Sequence, residues 1–209
     1  MQKNAYFFPA STIFGRTGAA ALCYCVAVFT LGCSEPGSDE RRRATPTAMF
    51  TSCNADGAFK VDTFGAIEAS IDWRNDEMSC EGMKRPNKRG ARLRFAGTLN
   101  TDAEPRNLAF ILALPDLVEG QTGTDLATRI TLIEEDAGRF FSTRETNICW
   151  ANIEHHQPKL ESDRDVKSRR YLISGLVYCV APIADLSGAG SITISDLRFS
   201  GRVAWAGKK

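Results

Sequence analysis

The stretch "GSITISDLRFSGRVAW", Gly190 to Trp205, decides the fold. Ile192 and Ile194 alternate with polar residues on one parity. Leu197, Phe199, Val203 and Trp205 alternate on the other. A period of two is the mark of a strand with one buried face. The parity switches near Ser195-Asp196, which is what a β-bulge, one extra residue in a strand, produces. The stretch therefore predicts one long bent strand rather than a helix.

The same period recurs upstream. Ile67, Ala69, Ile71 and Trp73 share a face, as do Leu93, Phe95, Gly97 and Leu99 in RLRFAGTLN. Ile130 and Leu132 alternate within TRITLIEE. Cys149, Ala151 and Ile153 do so in NICWANIE, and Tyr171, Ile173, Val177 and Cys179 in YLISGLVYCV. Leu108 to Leu114 is continuously apolar up to Pro115, consistent with a buried strand or a short helix. Gly, Pro, Asp and Asn separate the runs, while β-branched and aromatic residues fill them. The one long stretch open to a helix, LPDLVEGQTGTDLATRI, carries too many glycines. Seven to nine short strands predict an all-β, antiparallel β-sandwich, with a β-barrel as the alternative.

Bulk composition narrows the function classes. The chain has 209 residues, 43% hydrophobic and 24% charged, with a formal net charge of +1. Nothing in that balance calls for nucleic acid. A body of about 160 residues can bury roughly 70% of its unfolded surface and needs no cofactor to fold. Two histidines leave little room for a histidine-rich metal site.

The amino terminus reads as an address. Residues 1–32 hold Lys3 and Arg16 and no acidic residue; without them the chain has 24 basic and 25 acidic residues. Gly18 to Leu31, GAAALCYCVAVFTL, is uncharged but shorter than the ~20 apolar residues of a membrane-spanning helix. It fits the apolar core of a secretory signal. Thr30-Leu31-Gly32-Cys33 resembles the lipobox of bacterial lipoproteins, with Thr30 where leucine is usual. The resemblance implies cleavage before Cys33 and lipidation of its thiol, with membrane lipid as partner. Ordinary cleavage at the same small-x-small site and an uncleaved anchor are the alternatives. Residues 33–49, including Arg41-Arg42-Arg43, are polar and read as a flexible tether. The same resemblance to lipoproteins implies, from Ser34 rather than aspartate after the cysteine, sorting to the outer membrane. Residues 50–209 form the single β-rich domain.

Cysteine arithmetic agrees. Cys23 and Cys25 leave with the signal, and Cys33, Cys53, Cys80, Cys149 and Cys179 remain. Assigning Cys33 to lipid leaves an even number for disulfides in an oxidising compartment. Four cysteines permit three connectivities, of which Cys53–Cys80 and Cys149–Cys179 are preferred. The second has a geometric reason. A hairpin of 147–154 with 171–180 centred at position 164 sets Cys149 opposite Cys179. Spacings of 26, 68 and 29 residues match no zinc finger or ribbon.

Signs of chemistry are sparse. His155-His156 are strand neighbours that point to opposite faces, so they cannot grip one ion, and they read as an exposed pair. Glu134-Glu135-Asp136 before Gly138 reads as a charged turn. Asn54, Asp56 and the acids of 161–165 could be imagined around calcium, but their spacing is not an EF-hand. No H-E-x-x-H, G-x-S-x-G or Walker loop occurs. Trp73 and Trp205 lie in apolar periods and read as core, whereas Trp150 alternates against Cys149 and reads as surface.

These residues predict a membrane-anchored cell-envelope lipoprotein that acts as a binding or structural module, with an envelope protein or a glycan as the kind of partner. Its contact surface would involve Trp150, His155 and His156 and the loops 115–127 and 155–170. One rival is an envelope hydrolase working with a carboxylate pair. The other is an assembly subunit that adds a strand to a partner, which requires an exposed edge at 190–206.

Overall fold

A computed structural model describes residues 53–86, 89–102, 104–144, 147–159 and 168–206. The signal segment 1–32, Cys33 and the tether 33–49 lie outside the described residues. So do positions 160–167, the middle of the loop expected at 155–170.

The described chain is all-β. In order come β1 (Ala58–Gly65), β2 (Ala69–Arg74), β3 (Met78–Lys84), β4 (Ala91–Leu99), β5 (Arg106–Leu114) and β6 (Gly123–Ala127). They are followed by β7 (Arg129–Glu134), β8 (Arg139–Ser142), β9 (Cys149–Pro158), β10 (Ser168–Cys179), β11 (Ile183–Ala184) and β12 (Ser191–Ala206). Two single-turn 3-10 segments, Asn54–Asp56 and Asn75–Glu77, complete it. No helix among the described residues is long and apolar enough to cross a membrane. The run 108–114 is the strand of its two options, pairing along its length with β4 and β7.

The strands form one sheet in the order β6-β9-β10-β12-β3-β4-β5-β7-β8, with β1 and β11 also on β12 and β2 on β1. The sheet is open rather than closed into a barrel. β8 meets the segment after β11 through one bridge, Phe141 to Asp185. Twelve strands exceed the seven to nine expected. β6, β8 and β11 are two to five residues long, too short to carry a period. The pairing is antiparallel except at one place, where Ala204 of β12 lies beside Met83 of β3 in parallel.

β12 is the spine. One edge carries β1 along 192–200 and then β3 at 204. The other carries β11 at 191–192 and then β10 along 197–206. The expected bulge is present. Lys60 pairs with Arg198 and Asp62 with Ser195, so β12 spends an extra residue there, and Asp196 has φ 49°. Ile192, Ile194, Leu197, Phe199, Val203 and Trp205 are all buried, so the bulge keeps the apolar face continuous through the bend. The exposed edge at 190–206 that strand addition would require is not present, because this strand is flanked on both sides.

The folded sheet closes over an aromatic centre. Phe59 of β1 lies 4.9 Å from Phe95 and 4.8 Å from Phe110, and 5.9 Å from Trp73. The β1–β2 layer thus packs face to face on β4–β5, the sandwich arrangement. Each such ring contributes about 2–3 kcal/mol by leaving water. Trp73 and Trp205 belong to this core, as read from the sequence. The bridges Cys53–Cys80 and Cys149–Cys179 both form, with Cα separations of 5.2 and 4.1 Å. Each closes a loop of 27 or 30 residues. Loops of that size restrict the unfolded chain by about 3 kcal/mol each.

Candidate functional site

Cys149 and Cys179 face each other across β9 and β10, and Cys149 is fully buried. The next pair along the ladder is Trp150 and Tyr178, which alternation turns to the outer face. Their rings stack with centroids 5.8 Å apart and planes 26° apart. Tyr178 is exposed and Trp150 half-buried. The Tyr178 hydroxyl donates to Asp125 Oδ1 at 2.5 Å, and that bond raises the phenol above its ordinary pKa.

Asp125 reaches this position through an irregularity in β6. The register slips between Gly123 and Leu126, and Asp125 itself has φ 54°. Asn152 of β9 holds the unusual backbone by accepting the Asp125 N–H on Oδ1 at 2.8 Å. Trp150, Asn152, Tyr178 and Asp125, from three strands, thus meet on one face. Among the described residues, Trp150 Nε1, Asn152 Nδ2 and Asp125 Oδ2 make no hydrogen bond and remain available to a ligand.

The three predicted contact residues are not brought together. His155 is exposed and meets Ser174 Oγ through Nδ1 at 3.1 Å. It lies five positions along β9 from Trp150, about 17 Å in an extended strand. His156 is a correction: it is buried, with 3% exposure. The cause is a bulge. Gly175 pairs with Ile153 but Ser174 pairs with His155, so Glu154 is the extra residue. That insertion reverses the alternation set by Cys149, Ala151 and Ile153, turning His156 inward and His155 outward. The loop 115–127 is likewise less free than expected. Leu117 is buried, Gln121 O takes a hydrogen bond from His156, and the end of the loop is β6.

Two partly or fully buried carboxylates are held in ion pairs. Asp56 Oδ2 is gripped by Lys159 and by Arg202, whose Nε and Nη2 lie at 3.0 and 2.5 Å. The Lys159 bond and then Arg202 hold the Asp56 carboxyl below the ordinary carboxylate range, against the effect of burial. The charge of Asp56 is thus met by two cations. Glu134, read as part of a charged turn, is a buried residue at the end of β7. It is held at 2.5 Å by Arg106 and at 2.6 Å by Arg139. Burial works to raise its carboxyl, but the bonds from Arg139 and Arg106 outweigh it and the net displacement is downward. Asp136 is lowered by the backbone and side-chain N–H groups of Asn107, and Asp185 by the N–H and hydroxyl of Ser187.

A cleft of about 380 Å³ opens at the ends of β3, β4 and β5, lined by Asp76, Glu77, Ser79, Thr98, Asn107 and Glu135. Two of its three acids have partners nearby. Glu77 accepts the Arg74 N–H at 2.8 Å, and Glu135 pairs with Arg94 at 2.8 Å.

Of the residues on the β9–β10 face, Tyr178 was legible by extension, because the hairpin centre that opposes Cys149 to Cys179 also opposes Trp150 to Tyr178. Asp125 and Asn152 carry no local signal; only the slipped register of β6 brings Asp125 in. Comparison with known protein families, with characterised proteins and with solved structures returns no match.

Proposed function

We propose that this chain is a lipid-anchored binding module of a bacterial cell envelope. Diacylglycerol on Cys33 holds it to membrane lipid, in the outer membrane by the Ser34 signal, and the outer face of β9 and β10 meets an envelope partner. The observation that carries the reading is the pairing of Cys53 with Cys80 and Cys149 with Cys179. Bridged cysteines suit an exported protein. With all four body cysteines joined to one another, Cys33 has no body cysteine left as partner, which is the condition a lipidated thiol requires. One acyl chain holds a protein only marginally, whereas several hold it stably.

The rival readings draw less support. A hydrolase with a carboxylate pair needs one carboxyl displaced upward to serve as acid. The displaced carboxyls among the described residues all move downward. Strand addition needs a long bare edge. β6 and β8 are short, and β2 carries the Asp72–Arg74 ion pair, features that blunt edges.

The test is metabolic labelling with a fatty-acid analogue in cells producing the wild type or Cys33→Ala. Label in the wild-type protein alone, with Cys33 at the mature amino end by mass spectrometry, is the expected result. An unlabelled wild type, or a retained leader, refutes the anchor.

A further inference from the structure

We propose that the Trp150–Tyr178 face is a saccharide-binding subsite that takes an uncharged pyranose unit of a β-linked polysaccharide. The inference rests on the reading of this face as the contact surface, and stands apart from the anchor at Cys33. An equatorially substituted pyranose offers one flat C–H face and a rim of hydroxyls. The site offers the complement of both.

The flat part is the ring pair, whose centroids lie 5.8 Å apart. The two rings stack on each other, so the flat surface offered to a sugar is the exposed Tyr178 side of that stack, and aromatic faces carry the partial negative charge that C–H groups seek. The rim is Asp125 and Asn152. Asp125 Oδ1 is engaged by Tyr178, and Oδ2 is left to accept from a hydroxyl. Asn152 Oδ1 is engaged by the Asp125 N–H, and its amide Nδ2 is left to donate. An acceptor beside a donor is what two vicinal hydroxyls need, since each can give one hydrogen bond and receive another.

The site is rigid before any ligand arrives. The Cys149–Cys179 bridge adjoins the ring pair in the same ladder, and Tyr178 is tied to Asp125. Asp125 sits in a left-handed conformation uncommon for a residue other than glycine, at a point where β6 slips register. Backbone of that kind is found where a side chain must be aimed. Rigid aromatic contacts lose little freedom on binding. The absence of a free cation among Trp150, Tyr178, Asp125 and Asn152, and the presence of a carboxylate, favour an uncharged sugar over an acidic one.

The experiment uses protein purified from cells expressing the full chain, titrated with cellohexaose and with N-acetylchitohexaose. Trp73 and Trp205 are buried, so a ligand-dependent change in indole emission reports Trp150. Saturable change with at least one of the two probes is expected. Trp150→Ala should abolish the emission change and, by calorimetry, weaken binding about tenfold, the equivalent of 1.4 kcal/mol. Asp125→Asn, which tolerates the same backbone conformation, should weaken it several-fold while leaving the thermal midpoint in place. No saturable binding of either probe, or binding by Trp150→Ala equal to wild type, overturns the proposal. Binding of a protein at this face and of no saccharide also overturns it, and leaves the anchor to its own test at Cys33.

Discussion

Trp205 donates its indole N–H to His156 Nε2 over 3.1 Å. An indole nitrogen can only donate, so the imidazole nitrogen it faces is unprotonated. The ring proton therefore sits on Nδ1 and is given to Gln121 O at 3.0 Å. A neutral imidazole, in edge contact with Tyr171 at 5.0 Å, joins β9, the end of β12 and the segment leading to β6.

This ring makes stability depend on mild acidity. Burial, the largest influence, lowers the His156 pKa, while the bond to Gln121 and the charge of Glu119 oppose it. The unfolded imidazole takes its proton near pH 6.5, the folded one only at lower pH. Between those values the unfolded state binds more protons, so stability rises with pH. The contribution is complete above about pH 6.5 and is lost as pH falls through the folded value. Urea unfolding should show His156→Gln less stable than wild type at pH 7.5, with the gap narrowing toward pH 5. A constant gap across that range would contradict the assignment.

Asp56 is the second point of dependence. It fastens the first described turn to the spine through Arg202 and through Ser200 Oγ, which donates to Asp56 O at 2.8 Å. Asp56→Asn removes the charge and leaves Lys159 and Arg202 side by side. The expected loss is about 1–2 kcal/mol at pH 7, read as a lower urea midpoint with unchanged slope. Because the folded carboxyl titrates below its unfolded value, this contribution is present above about pH 3.9 and disappears as pH drops further. Arg202→Gln should cost less in the Asp56→Asn background than in wild type; equal costs would show the two residues to be independent.

The parallel seam should tolerate little added volume. A Cβ on Gly82 would lie 2.0 Å from Arg202 O and 2.8 Å from Leu93 Cδ2. The first obstacle is backbone, so β3 and β12 would have to part. Gly82→Ala should lower stability by about 2 kcal/mol or more. Gly138→Ala is the contrast: φ is 61°, but nothing lies within 4 Å of the added carbon, so only backbone strain of about 1 kcal/mol remains. Similar thermal midpoints for the two variants would show that the seam yields.

Periodicity made the strands legible because each has one buried face. The parity switch at Ser195-Asp196 even located the bulge that bends β12. The Cys149–Cys179 pairing followed from hairpin symmetry. The Glu154 bulge was hidden, because Glu154, His155 and His156 are all polar and no apolar partner marks the inversion. Asp125 was hidden for a different reason: its place depends on β6 meeting β9, a contact with no trace in composition. Glu134 looked like surface because its neutralising arginines, Arg106 and Arg139, are 28 and 5 residues away. Burial of a carboxylate depends on partners that the local sequence does not display.

The pairing of β1 with β12 means that the earliest strand waits for the last. During synthesis, most of the described chain has emerged before its central element exists. Until then β1, β3 and β10 each lack a neighbour on the side that β12 fills, and unpaired strand edges of that kind invite pairing with other chains. A premature stop codon shortly before residue 191 would deprive four strands of their common template in a single event.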